Sequence, residues 1–141
     1  MNQSIERTTL SNLVTNEEYC RKVLPFIKPD YFDVKEERVV FEEITNFVDK
    51  YKRIPTKISL EIEVESRKDL TQDQHTKIVE IIQTLDSTDV DMEWLVDTTE
   101  KFCKDKAIYN AIVEGISIID GKDKNRKPDA IPTILTDALA V

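Results

Sequence analysis

Apolar side chains recur at helical spacing through the first half of the chain. One face of a helix is indicated by apolar residues at steps of four, three and four: Val40, Ile44, Phe47 and Tyr51. Similar spacing predicts a helix from about Ser4 to Val14, and another that carries the apolar residues between 78 and 85. Only two glycines and five prolines are present, which leaves little room for hairpin turns. These patterns predict an all-α fold.

Short polar residues mark the starts of several helices, because their side chains bond the free backbone N–H groups of the first turn. Asn16, which precedes two glutamates, and Thr56, which follows Pro55, are predicted N-caps. Pairs with the spacing of a capping box occur twice: Asp33 with Glu36, and Thr71 with Gln74. Helices are therefore expected to begin at these four places.

The segment from Thr56 to Ser66 gives two conflicting signals. Its apolar residues alternate with polar ones, which is the period of a strand: Ile58, Leu60, Ile62 and Val64. A single strand would find no neighbour with which to pair in a chain otherwise composed of helices. We therefore predict a helix here, against the local pattern.

One long helix is predicted from about residue 91 to residue 120, where no proline interrupts the chain. Its second half is apolar nearly all round, since only three residues between 107 and 119 are polar: Asn110, Glu114 and Ser117. A helix of this kind must be covered on several sides. It is either the central helix of a monomeric bundle or a helix that meets another subunit.

After this helix the chain is predicted to turn back on itself. Gly121 suits a C-terminal cap, residues 121–129 a charged loop, and residues 130–141 a final helix. Two helices joined by a short loop form an antiparallel hairpin. The expected organisation is a small helical globule over residues 1–90, followed by a C-terminal antiparallel helical hairpin over residues 91–141.

The residues that could carry chemistry do not converge on a site. Gly115, Gly121 and Lys122 approach the spacing of a phosphate-binding loop, but the spacing is one residue too long and its context is helical. Helix packing plus a C-cap is the preferred interpretation of these glycines. His75 is the single histidine, and an exposed or capping position is favoured over a metal site. No catalytic, cofactor-binding or metal-ligating residue is expected in this chain.

The remaining polar and aromatic candidates are interpreted as structural. The third helix is expected to hold four glutamates on its solvated outer side: Glu36, Glu37, Glu42 and Glu43. Trp94, Tyr31 and Phe32 are expected in the core. Cys20 and Cys103 are expected as small buried residues in a reduced intracellular setting. A solvated loop is expected for the basic cluster: Lys122, Lys124, Arg126 and Lys127.

Charge and hydropathy narrow the classes of function. The net charge of −8 disfavours direct binding of nucleic acid by this domain, because phosphate binding needs clustered positive charge. No apolar run reaches membrane-spanning length, and the N-terminus lacks a signal pattern. A cytoplasmic protein-interaction domain without a membrane partner is the class that remains.

The interaction surface is predicted on the hairpin, because only a short final helix remains to cover the apolar part of the long one. A hairpin that buries this apolar face against a second copy of itself would shield the face from water. Eight apolar residues are candidates for such a subunit interface: Ile108, Tyr109, Ile112, Ile116, Ile119, Ile134, Leu135 and Leu139.

The order of these segments resembles the N-terminal domain of DnaB-type replicative DNA helicases, in particular the branch of T-even-type bacteriophages. Four segments carry the resemblance and together span nearly the whole chain: TLSNLVTNEEYCRKVLPFIKPDYF, KYKRIPTKISL, WLVDTTEKFCKDKAIYNAIVEGISII and AIPTILTDAL. None of them is a catalytic signature, so the specificity of the resemblance comes from order and spacing.

The resemblance implies a domain without catalytic residues of its own. Hairpins of two subunits would pair, three such dimers would form the N-terminal collar of a hexamer, and the collar would dock primase and a helicase loader. A separate motor domain of the parent protein would use ATP or another nucleoside triphosphate with magnesium to unwind duplex DNA 5′ to 3′. The setting would be the cytoplasm of an infected bacterial host.

Two other functions stay open at this point. A free-standing helical adaptor protein would show the same residue patterns, and so would the helicase-binding domain of a primase. The chain ends at Ala140 and Val141 while it is still apolar, which favours a piece of a longer polypeptide.

Overall fold

The computed structural model describes residues 4–141, which divide into two compact units. The first unit extends to Thr99, and the second runs from Glu100 to Val141. This division falls inside the long helix, further along the chain than the boundary after residue 90 expected from the pattern. All regular structure in residues 4–141 is helical, which confirms the all-α fold.

Five helices of the described chain lie wholly in the first unit: α1 (Ile5–Thr15), α2 (Glu17–Val23), α3 (Lys35–Tyr51), α4 (Lys57–Glu65) and α5 (Gln72–Gln83). Two short 3-10 turns, Leu24–Phe26 and Pro29–Tyr31, connect α2 to α3. The long helix α6 (Met92–Ile119) crosses the division between the units. A further 3-10 turn, Pro128–Ala130, leads into α7 (Ile131–Leu139). Both α6 and α7 lie close to their predicted bounds.

Side-chain caps begin several helices where the sequence predicts them. Asn16 Oδ1 accepts a hydrogen bond from the backbone N–H of Tyr19 at 3.0 Å and so caps α2. Thr56 and Thr71 each accept the backbone N–H three residues further on, and both form reciprocal capping boxes. The helical interpretation of α4 is thereby confirmed, because its first turn is fixed by a local hydrogen-bonded cap.

The capping box predicted for Asp33 and Glu36 is wrong. Val34 occupies the N-cap position of α3 and makes no side-chain cap hydrogen bond. Because the helix begins later than the prediction requires, Glu36 is its second residue. A capping-box glutamate reaches back from the third position.

The alternating residues of α4 occupy two opposite faces of one helix. Leu60 and Val64 are buried, whereas Ile58 and Ile62 are exposed. Residues four apart share a helical face, so an alternation of four apolar residues resolves into one inward pair and one outward pair. The local strand period therefore coexists with a helix that buries half of its apolar residues.

The core of the first unit is built around α3, which contacts α1, α4 and α5. Its predicted apolar face is buried at Val40 and Ile44, whereas Tyr51 near its end is exposed. Phe41 widens this face, and its ring centroid lies 5.2 Å from that of Phe32. Burial of these large side chains holds α3 in place.

The expected solvation of the α3 glutamates is wrong for Glu37 and Glu43, which are buried. Arg7 Nε donates a hydrogen bond to Glu37 Oε2 at 2.8 Å, and Arg67 Nη1 donates to Glu43 Oε2 at 3.0 Å. Burial raises the pKa of Glu37, and the hydrogen bond from Arg7 opposes that rise. Each carboxylate thus enters the core together with an arginine from a distant part of the chain.

Arg67 joins further carboxylates at the edge of the same unit. Its guanidinium lies 3.2 Å from Glu42 and 2.8 Å from Asp69. The hydrogen bond from Arg67 lowers the pKa of Asp69 to about 2. Glu36 and Glu42 are half-buried, so none of the four glutamates of α3 lies on a fully solvated side.

Candidate functional site

The second unit forms the predicted helical hairpin. Gly121 ends α6 with a φ of 73°, a left-handed conformation that glycine adopts without strain, and its N–H donates to Ile118 O at 3.1 Å. The returning α7 passes close to α6, because a Cβ atom added to Gly115 would lie 3.6 Å from the side chain of Ile131. The interpretation of the two glycines as helix packing and a C-cap is confirmed.

Small residues make up much of the buried side of α6 in this unit. Ala107, Ala111 and Gly115 are buried and lie at steps of four, so they form one stripe along the helix. A stripe of small side chains permits close approach of a neighbouring helix, since interaxial distance depends on the residues at the contact. Most of the larger apolar side chains of α6 in this unit lie on the other sides, and Ile118 is the buried exception.

Several large apolar side chains of the hairpin are exposed. Five large residues of α6 and one of α7 are exposed: Tyr109, Ile112, Val113, Ile116, Ile119 and Leu139. The exposed fraction is 59% for Tyr109, 53% for Ile116 and 68% for Ile119. We call this set the hairpin face. The five members on α6 lie on one side of the helix by their spacing, and exposed apolar surface of this kind marks sites of protein association.

Most of the candidate interface residues belong to the hairpin face. Of the eight, three are half-buried and the other five are exposed: Ile108, Ile134 and Leu135 in the first group, with Tyr109, Ile112, Ile116, Ile119 and Leu139 in the second. Val113 is an exposed member that the sequence analysis missed. Its spacing, four residues after Tyr109 and three before Ile116, is the signal that could have found it.

The loop between α6 and α7 is exposed and carries charges of both signs. Arg126 forms ion pairs with Glu114 of α6 and with Asp123 of the loop. The hydrogen bond from Arg126 lowers the pKa of Asp123. Lys122, Lys124 and Lys127 are exposed, as predicted for a solvated loop. The pairing of Arg126 fixes the loop to α6 and reduces its net positive charge.

His75 lies in the first turn of α5 and is half-buried. Among residues 4–141, no group of three or more histidine, cysteine, aspartate or glutamate side chains is arranged to hold a metal ion. Gly115, the first glycine of the near-phosphate-loop spacing, lies within α6. These residues are therefore placed in separate parts of the helical scaffold.

Both cysteines are buried free thiols, which confirms their interpretation as small core residues. Burial raises the pKa of Cys20 to about 11 and that of Cys103 to about 12. Each thiol therefore remains protonated near neutral pH. A protonated, buried thiol is a poor nucleophile and a poor metal ligand.

The predicted aromatic core is right for two of three residues. Tyr31 and Phe32 are buried, whereas Trp94 is 53% exposed, so its assignment to the core is wrong. Asp91 caps the first turn of α6 by accepting the backbone N–H of Trp94 at 2.9 Å. The next residue, Leu95, takes the buried position of that turn, and the indole points outward as a result.

Within the described residues, no helix combines the length and the hydropathy that crossing a bilayer would require. The fold and the hairpin face together define an all-helical domain with a large apolar surface at its C-terminal hairpin. Residues 1–96 match the family model described as the DnaB-like helicase N terminal domain. The chain belongs to this family, which confirms the resemblance inferred from its sequence.

A comparison with curated proteins shows similarity to the DnaB-like replicative helicase of Enterobacteria phage T4. The alignment is 140 positions long with 29% identity, and it covers 94% of this chain. The chain spans only 29% of the length of that relative. Because the alignment covers 94% of the chain, the similarity extends beyond the family match at residue 96 into the second unit.

Proposed function

We propose that this chain is the N-terminal collar domain of a hexameric replicative DNA helicase and that it joins subunits through the hairpin face. The observation that carries the proposal is the exposure of large apolar side chains on α6 beside a buried stripe of small ones. A monomeric domain rarely exposes a cluster of large apolar side chains. Membership of the DnaB-like family and similarity to a replicative helicase support the same assignment.

The energetics favour an association of two copies. Complete burial of a leucine or isoleucine side chain contributes about 1.5–3 kcal/mol, and less where the residue is already partly covered. Association costs about 4–15 kcal/mol of lost freedom. A two-fold pair buries the same set of residues from both copies, so the gain is counted twice. The six residues of the hairpin face are therefore sufficient in number to offset this cost.

In the parent protein, three such dimers would form a ring-shaped collar that docks primase and a helicase loader. A separate motor domain would bind ATP or another nucleoside triphosphate with magnesium and unwind DNA 5′ to 3′. The collar would contribute little to DNA binding, because its net charge is −8. It would act in the cytoplasm of an infected bacterial host. The similarity to a helicase supports this assignment over a free-standing adaptor or a primase domain.

The proposal is tested by the mass of the 141-residue chain in solution, measured by light scattering after size-exclusion chromatography. We expect the chain to self-associate, and we expect the double substitution of Ile112→Glu and Ile116→Glu to yield monomers. Burial of two glutamates in an apolar interface would leave their charges without partners. Circular dichroism would establish that the helical content of the variant is unchanged.

The outward face of α4 supplies a matched control. Ile58 and Ile62 have the same spacing as Ile112 and Ile116 and are 70% and 56% exposed. Their replacement by glutamate changes the net charge equally and should leave the mass of the assembly unaltered. A monomeric wild-type chain at every concentration, or an unchanged mass after the hairpin substitutions, would contradict the proposal.

A further inference from the structure

A cleft of about 510 Å³ opens beside α2 and the C-terminal half of α3. It lies wholly within the first unit and has no part in the hairpin face. Its floor is largely apolar: Cys20, Leu24, Ile27, Val48 and Ile54. Binding sites for small ligands and peptide side chains have this size and an apolar lining with a few convergent polar groups.

A buried hydroxyl lines this cleft without a hydrogen-bond partner. Thr45 Oγ1 is fully shielded from solvent, and no donor or acceptor among residues 4–141 reaches it. Buried polar atoms in folded proteins are nearly always paired, so an orphan hydroxyl requires an explanation. Because solvent does not reach Oγ1 in this rotamer, a polar group of a ligand in the cleft would supply the missing hydrogen bond once the Thr45 side chain rotates towards it.

The rim of the cleft carries two cations that form no ion pair in the described structure, Lys52 and Arg53. Lys52 ends α3 in the left-handed conformation, with a φ of 58°, and this turn brings both side chains to the rim. The guanidinium of Arg53 lies 5.5 Å from the ring centroid of Tyr51. Stacking on an aromatic ring orients a guanidinium and leaves its N–H groups free to bind a carboxylate.

The other charged residues of the lining only partly offset these cations. Arg21 and Glu17 lie 3.5 Å apart and largely neutralise each other. Asp49 is an exposed carboxylate on the same rim. The lining therefore combines three cations with two carboxylates, on a chain whose net charge is −8. This local excess of positive charge would attract a negatively charged partner.

We propose that this cleft binds an acidic amphipathic peptide segment of a partner protein. An apolar side chain of the segment rests on the floor, and a polar group bonds the Thr45 hydroxyl. Flanking carboxylates pair with Lys52 and Arg53, as charge-assisted hydrogen bonds to arginine are short and directional. The proposal does not rest on the hairpin face, because every residue involved lies in the first unit.

The test uses two fluorescein-labelled probe peptides and the 141-residue chain. The first probe contains a Leu–Phe pair flanked by aspartates and glutamates, and the second has lysines in place of the acidic residues. Fluorescence anisotropy should show binding of the acidic probe, weakened by added salt, and no comparable binding of the basic one. Equal affinity for both probes, or no binding of the acidic probe, would overturn the proposal.

Charge reversal on the rim gives the largest expected effect. The double variant of Lys52→Glu and Arg53→Glu should bind the acidic probe at least about tenfold more weakly, because two ionic contacts become repulsive. The matched control reverses Lys124 and Lys127 in the second unit and changes the net charge equally. An equal loss in the control would mean that overall charge, and not the cleft, governs binding.

Two milder substitutions separate a role in binding from a role in folding. Thr45→Val keeps the shape of the side chain and removes its hydroxyl, so it should weaken the probe several-fold without lowering the melting temperature. Asp49→Asn removes a repulsive carboxylate and should tighten binding. If Thr45→Val leaves affinity unchanged, or if Asp49→Asn weakens it, the proposed mode of binding is wrong.

Discussion

The two units of this domain use apolar residues in opposite ways. The first unit buries most of its large side chains, among them Phe41 and Ile82, and exposes a few, Trp94 among them. In the second unit, the stripe of Ala107, Ala111 and Gly115 is buried, and the hairpin face of bulky residues remains exposed. The two units therefore differ mainly in the size of the side chains that face inward.

This difference separates two purposes of apolar sequence. Large buried residues contribute most to the free energy of unfolding of a single chain. Small residues between two helices let them approach closely and leave their larger neighbours available to a partner. The first unit is thus organised for its own stability, and the second for association as proposed above.

The contrast between the two units is tested most directly by truncating one large side chain in each unit. Phe41→Ala should lower the free energy of unfolding by about 3–5 kcal/mol, because a buried ring is lost and a cavity remains. Ile116→Ala should change it by less than about 0.5 kcal/mol, because its side chain is already exposed. Urea denaturation, followed by circular dichroism at a concentration at which the chain is monomeric, measures both.

A large cost for Ile116→Ala in the monomer would show that the hairpin face contributes to the stability of the single chain. The same measurement at higher protein concentration tests whether the hairpin face contributes to stability through association. Association stabilises the folded state by mass action, so the effect of Ile116→Ala should then grow, whereas that of Phe41→Ala should change little.

The charged pairs of the two units give the second contrast. Glu37 has a side chain only 8% exposed and is paired with Arg7, which is 35% exposed. Arg7→Met should lower stability at pH 7 by about 1–3 kcal/mol, towards the lower end because Arg7 is partly solvated. Arg126→Met in the second unit should have little effect, since the side chain of its partner Glu114 is 38% exposed and solvent screens the pair.

The pH dependence of this effect follows from the raised pKa of Glu37. A carboxyl that holds its proton more tightly in the folded state contributes stability at low pH and loses it as pH rises through the folded pKa. Arg7 opposes that rise, so its removal raises the folded pKa further. The cost of Arg7→Met should therefore shrink as pH falls towards about 4, where Glu37 is protonated. An equal cost at pH 7 and pH 4 would contradict this.

Features of the fold that depend on near neighbours in the sequence could be predicted. The caps at Asn16 and Thr71 need only a polar side chain and a backbone N–H three residues away, so their sequence pattern is sufficient. The end of α6 at Gly121 is also determined locally, because it depends on one residue in the left-handed backbone conformation. The all-α fold follows from the sum of such signals.

Features that depend on distant residues could not be predicted. Glu37 and Glu43 have the sequence context of solvated residues, and their burial depends on arginines from distant parts of the chain, one in α1 and one in the loop after α4. Trp94 is exposed because its neighbour Leu95 takes the inward position, which the long apolar pattern of α6 does not reveal. The floor of the cleft beside α3 likewise combines residues of separate elements, and no single segment indicates it.

The smallest expected effects come from the left-handed residue that ends a helix in each unit. Lys52 has a φ of 58°, and Gly121 has a φ of 73° with nothing within 4 Å of the position of an added Cβ atom. Lys52→Gly should therefore stabilise the first unit by about 1 kcal/mol, and Gly121→Ala should destabilise the second by about the same amount, since only glycine adopts this conformation without strain. Hydrogen exchange of the amides in the last turns of α3 and α6 resolves each unit separately. If both substitutions destabilise their helix, side-chain contacts of Lys52 outweigh its backbone strain, and the first unit depends on that residue for more than the charge it places on the rim of the cleft.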